Sequence, residues 1–143
     1  MTDKLDRFVE DLQNQIYEET REAFGDVVYN RWRNPRHMGR MDLPDGHARV
    51  SGSCGDTMEI FLRFKDNRVI DASFLTDGCG PSLVCASYAA ELAMGKSPEE
   101  VAAVSGWTIL DLLGGLPEEN EHCAFLAAET LHQALSNYTD RPR

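Results

Sequence analysis

Leu5, Phe8, Val9, Leu12, Ile16 and Phe24 recur at helical spacing with charged residues between them, which predicts an amphipathic helix stopped at Gly25. Its charged face suits a helix lying on a body or on a partner. Asp26 can cap a second short helix through Arg31, ended by Pro35, which disfavours helical geometry at Asn34. Residues 44–46 read as a turn.

The period then changes. Met58, Ile60, Leu62 and Phe64 alternate with Glu59, Phe61, Arg63 and Lys65, the pattern of a half-buried strand. Asp66-Asn67 makes a turn and residues 69–76 return as the partner strand, so a hairpin is predicted, with residues 47–53 as a third strand beside it. Residues 78–81 break the sheet. Pro81 suits the first turn of a helix running to about Met94 and closed by Gly95.

Ser97-Pro98-Glu99-Glu100 is a capping-box helix start. A short helix over 108–113 ends at Gly114-Gly115. The last helix, over 121–138, buries Leu126, Leu131, Ala134 and Leu135. Two helices, three strands and then helices indicate an α+β single domain with a small three-stranded antiparallel sheet covered by helices, not alternating βαβ units.

Composition narrows the function classes. At 143 residues and 42% hydrophobic content, one domain with a real core is expected. A net charge of −10 argues against nucleic acid, since phosphate binding needs a basic face. Residues 1–24 carry acids throughout, so neither a secretory signal, a transit peptide nor a membrane span is expected. The expected location is the reducing cytoplasm, where cysteines serve as ligands or core more often than as disulfides.

Three of the four cysteines have telling flanks: Gly52-Ser53-Cys54-Gly55-Asp56, Gly78-Cys79-Gly80-Pro81-Ser82 and Glu121-His122-Cys123. Bare glycine backbone lets a bulky group approach two of the sulfurs. The third has an imidazole next to its thiol. Three thiolates and a fourth ligand complete the tetrahedral shell of zinc or of an iron–sulfur cluster.

All three cysteines fall at element ends, where loops converge on one rim of a sheet. Helix N-termini favour thiolate over thiol there, most of all at Cys79. Their long separations, with 24 and 43 intervening residues, exclude a zinc finger built on short knuckles. Asp56 reads equally as a turn residue or as a ligand. Cys85 lies with Ala89 and Leu92 on an apolar helical stripe and reads as core. His37, His47 and His132 lack thiol neighbours in sequence and are left unassigned.

The run Asn34-Pro35-Arg36 with Gly39, then Cys54-Gly55-Asp56, Asp71-Ala72, Gly78-Cys79-Gly80 and His122-Cys123 resembles the IscU/NifU-type iron–sulfur cluster assembly scaffolds, in order and with compatible spacing. The resemblance implies a scaffold domain over residues 26–138, preceded by the amphipathic helix of residues 1–25 and followed by a tail, residues 139–143. It implies a labile [2Fe–2S] cluster built at the surface on Cys54, Cys79 and Cys123, which first receive persulfide sulfur from a cysteine desulfurase. His122 or Asp56 would complete the shell.

The implied protein is a carrier and not an enzyme, a monomer or weak dimer. It takes iron from a donor and passes the cluster to recipient apo-proteins. The family's aspartate keeps the cluster transferable, consistent with a carboxylate being a harder, more exchangeable iron ligand than a thiolate. The alternative is a zinc-dependent sulfurtransferase that holds Zn2+ at the same ligands and accepts persulfide; the long insertion of such relatives between the last two cysteines is missing. A structural zinc or regulatory module is a third class.

The chain departs from the family pattern in several places. Leu116-Pro117 is followed by Glu118-Glu119-Asn120 where the family often carries Leu-Pro-Pro-Val-Lys. Cys85 is additional, and acids surround Cys123.

Overall fold

The computed structural model describes residues 3–53, 55–78 and 80–141, so Cys54 and Cys79 lie outside the described residues. In chain order the elements are α1 (Asp3–Phe24), α2 (Asp26–Arg33), β1 (Gly46–Ser51), β2 (Thr57–Lys65), β3 (Arg68–Thr76), α3 (Gly80–Ala93), α4 (Pro98–Ala102), α5 (Gly106–Leu113), a 3-10 turn (Glu118–Asn120) and α6 (His122–Thr139). The three strands form one antiparallel sheet in the order β1-β2-β3. Asp66 and Asn67, at φ of 52° and 62°, turn the β2–β3 hairpin; short polar side chains tolerate this left-handed geometry best after glycine.

The alternation read from β2 places Met58, Ile60 and Leu62 at 0% exposure on the inner face, with Ala72 and Phe74 of β3 beside them. Helices α3 and α6 cover that face. Both are rich in alanine where they meet it, which lets them lie close: a Cβ at Gly46 of β1 would collide with the Ala134 carbonyl of α6. Phe61, on the other face, is also buried, because His47 of β1 stacks on it with ring centroids 4.6 Å apart.

Residues 34–39 are a structural rail. The His37 carbonyl accepts from the Phe74 N–H (2.9 Å) and Gly39 N–H donates back to the Phe74 carbonyl (2.9 Å). Behind this rail, buried Ser87 of α3 donates to the Arg36 carbonyl (2.7 Å) and accepts from the Arg36 N–H (3.3 Å) and from buried Arg31 (3.0 Å). Arg31 also pairs with Glu91 at 3.0 Å and lies 3.8 Å from the Tyr88 ring centre. Ser87→Ala leaves several of these groups unsatisfied. It is expected to cost about 1–2 kcal/mol, read as a lower urea midpoint at unchanged slope.

Two boundaries differ from expectation. Helix α2 contains Asp26 as its first residue and is not capped by it; Gly25, at φ 88°, precedes it without a side-chain cap, and the helix continues to Arg33. Helix α5 begins at Gly106, because Ser105 and Thr108 form a second capping box like that of Ser97 and Glu100. Helix α1 buries no residue. It is held to α2 by aromatic contacts of Tyr17 with Tyr29 and Trp32 and by Arg33 over the Tyr17 ring at 3.9 Å. Its Leu5, Phe8, Val9, Leu12 and Ile16 remain exposed, since α3 and α6 already fill the inner face of the sheet. Among the described residues no helix is long and apolar enough to cross a membrane.

Candidate functional site

In an antiparallel sheet of this order, the end of β1, the start of β2 and the end of β3 share one rim. The register pairs Ser51 with Thr57 and Met58 with Thr76, so the loops carrying Cys54-Gly55-Asp56 and Asp77-Gly78-Cys79 leave that same rim. The first loop folds tightly: Gly52 N–H donates to the Asp56 carbonyl (2.8 Å) and Gly55, at φ 91°, donates to the Gly52 carbonyl (3.0 Å). At Gly55 a glycine is needed for its backbone angle, not for space. The second loop is latched to the first strand pair. Asp77 accepts from the Thr57 N–H at 2.7 Å, and Thr76 donates to the Thr57 carbonyl at 2.8 Å.

Helices α3 and α6 then bring their first turns to this rim. Ser82 of α3, at 0% exposure, donates to Asp56 Oδ2 at 2.8 Å. The same hydroxyl oxygen lies 3.4 Å from Cys123 Sγ of α6, and Cys123 Sγ lies 3.7 Å from His122 Nε2. Asp56, Cys123 and His122 thus belong to one hydrogen-bonded chain with Ser82 at its centre. The Asp56 carboxylate reaches across to α3.

Gly78 is where this crossing demands bare backbone. A Cβ there would lie 2.6 Å from Ser82 Cβ and 2.8 Å from Asp56 Oδ2. On the far side of α3, the Trp32 indole sits over Gly80, and with Phe24, Val28 and Pro81 it lines a cleft of about 300 Å3 between the N-terminal helices and the start of α3.

Cys123 is buried, at 1% exposure, whereas a thiol at the surface was expected. The first turn of α6 points it inward against Ser82 and leaves His122 on the exposed side. Cys85 is fully buried, as its apolar stripe predicts; burial pushes its thiol far up from the ordinary value, and the neighbouring Cys123 sulfur adds to this. It is core. The remaining histidines have structural surroundings away from the rim. His47 meets Glu59 and stacks on Phe61, and His132 bonds the Val104 carbonyl. His37 contributes backbone to the β3 rail.

Sequence reasoning missed Ser82. The available signal was a serine three residues after Cys79, in the first turn of a mostly apolar helix.

Comparison with known proteins identifies the family. The family described as the NifU-like N terminal domain matches over residues 23–143. The iron-sulfur cluster assembly scaffold protein IscU 1 of Archaeoglobus fulgidus is 38% identical over 116 residues, covering 80% of this chain and 76% of that protein. The IscU scaffold protein of Haemophilus influenzae is 33% identical over 121 residues, covering 81% of this chain and 95% of that protein. The crystal structure of a NifU-like N-terminal protein from Brucella abortus superposes with a TM-score of 0.68 at 17% identity, covering 85% of this chain and 98% of that one, and so shares the fold. With the family matched over most of its length and relatives above 30% identity, the chain belongs to the NifU-like N-terminal domain family.

Proposed function

We propose that the chain is a scaffold on which an iron–sulfur cluster is assembled and from which it is passed on. Cys54, Cys79 and Cys123 are the proposed thiolate ligands, with His122 or Asp56 in the fourth position. The observation that carries this reading is the hydrogen-bonded chain Asp56–Ser82–Cys123–His122 at the rim from which the Cys54 and Cys79 loops emerge. It gathers a carboxylate, a thiol and an imidazole of unequal hardness at one place, which suits iron held for exchange more than for keeping. The likeness to the IscU scaffold proteins of Archaeoglobus fulgidus and Haemophilus influenzae supports the same role.

In this reading the cluster is cargo of the [2Fe–2S] type. Sulfur arrives as persulfide from a cysteine desulfurase, iron comes from a donor, and a reductant supplies the electrons that turn sulfane sulfur into sulfide. The protein contributes ligands, their orientation and their exchangeability, and performs no turnover of its own. Recipient apo-proteins take the finished cluster.

Anaerobic incubation with ferrous iron, cysteine, a desulfurase and a thiol reductant tests it. Visible sulfur-to-iron charge-transfer absorption is the expected result. No chromophore, with stoichiometric zinc retained and strong stimulation of desulfurase turnover, would instead establish the zinc-dependent sulfurtransferase reading. With Asp56→Ala the cluster is expected to persist longer and to reach an apo-ferredoxin more slowly; equal lifetimes in the two proteins would remove the exchange role from Asp56.

A further inference from the structure

Two arginines and one carboxylate meet in the last turn of α3, at the opposite end of that helix from the cysteine rim. Glu91 Oε1 lies 3.0 Å from Arg31 Nη2 and 3.8 Å from Arg36 Nη1, so one carboxylate oxygen serves both guanidinium groups. Two cations against one anion leave this place with one positive charge in excess, on a chain whose net charge is −10. Both guanidinium groups line an open cavity of about 400 Å3, together with Val27, Asn30, Asn34 and Tyr88. Arg31 is only 9% exposed; it gives one donor to Ser87 and one to Glu91, and its plane rests over the Tyr88 ring at 3.8 Å. A guanidinium carries five N–H donors, so three of its five are bonded by no described residue. The Asn30 and Asn34 side-chain amides likewise bond no other described residue.

We propose that this cavity binds a carboxylate monoanion, held by Arg31 and Arg36 with the two asparagine amides as further donors. A planar carboxylate matches the fork of a guanidinium, and its single negative charge completes the count that Glu91 leaves short. A phosphate monoester, at about −1.5 to −2 near neutral pH, exceeds that count. The site is built before its ligand arrives. Ser87 fixes the Arg36 backbone through both its N–H and its carbonyl, so little freedom is lost along the rail on binding. The Arg36 side chain, 72% exposed, keeps the freedom to close on the ligand. The site is independent of the scaffold reading. Its carboxylate comes from a small free acid or from an acidic side chain of a bound protein, and the two sources are separable.

The isotope-labelled full chain is titrated with sodium acetate, and separately with a short peptide carrying one glutamate, while sodium chloride holds the ionic strength constant. Saturable shifts of the Arg31 and Arg36 side-chain N–H resonances are the expected result. Saturation by acetate as well as by the peptide assigns a free acid; saturation by the peptide alone assigns a protein side chain. Arg36→Gln keeps the backbone bonds to Ser87 and is expected to weaken binding about tenfold, the scale of one hydrogen bond to a charged group. Glu91→Gln removes the competing carboxylate and is expected to tighten it. Arginines that only support the fold would give neither change. Shifts that grow without saturation, or equally with chloride, would overturn the proposal. So would an Arg36→Gln protein that binds as wild type does, or inorganic phosphate that binds more tightly than both carboxylates.

Discussion

Cys123→Ser is expected to abolish cluster assembly while leaving the fold intact. Serine is close to cysteine in size, and at the start of α6 its hydroxyl would meet Ser82 much as the sulfur does at 3.4 Å. What disappears is chemistry. A serine oxygen cannot carry sulfane sulfur, and it stays protonated where a thiol ionises, so it is a poor ligand. The expected fall in reconstituted charge-transfer absorption exceeds the roughly 10–100-fold cost of substituting groups that only support a ligand. Far-ultraviolet circular dichroism should stay as in wild type. Cys85→Ala serves as the control, because its sulfur is buried in the core: chromophore intensity should be retained even where stability drops. Wild-type absorption in Cys123→Ser would remove Cys123 from the ligand set.

Gly78→Ala is expected to damage stability and site together. The added Cβ would stand 2.6 Å from Ser82 Cβ, closer than carbon atoms approach without displacement. Ser82 cannot retreat, since it is fully buried in the first turn of α3, which is itself clamped among the sheet, α2 and α6. Relief must come from the loop, by moving Asp56 away from Ser82 or loosening the Asp77–Thr57 latch. Overpacking of this kind costs about 2–3 kcal/mol. The expected reading is a lower denaturation midpoint together with cluster lifetimes that no longer respond to Asp56→Ala. An unchanged midpoint would show that the loop yields freely and that glycine is not required there.

How far these residues were legible varies with the physics behind each. The hairpin at Asp66-Asn67, the capping box at Ser97 and the stop at Gly114 are local: the side chains involved act on backbone within a few residues, so their types suffice. The start of α2 was misplaced because Asp26 is a common cap and sequence does not reveal whether such a residue stands before or inside the first turn. The outward apolar stripe of α1 was legible as a stripe. That it faces solvent was not, because the answer depends on whether any layer has room for it.

At the site, the proposed metal-type ligand set was legible in the sequence by itself, since Cys54, Cys79 and His122-Cys123 carry their flanking glycines and imidazole with them. Cys85 was legible as a core candidate from its apolar helical stripe, and the structure buries it fully because α3 packs against the inner face of the sheet. Tertiary structure alone decided which of these groups meet. Asp56 and Ser82 are 26 residues apart and Ser82 and Cys123 are 41 apart, and no local spacing links them. Their meeting follows from an antiparallel sheet that returns the β1 and β3 loops to one rim, and from two helices whose first turns pack there. A hydrogen bond needs ångström placement, and only the packed sheet and helices supply it.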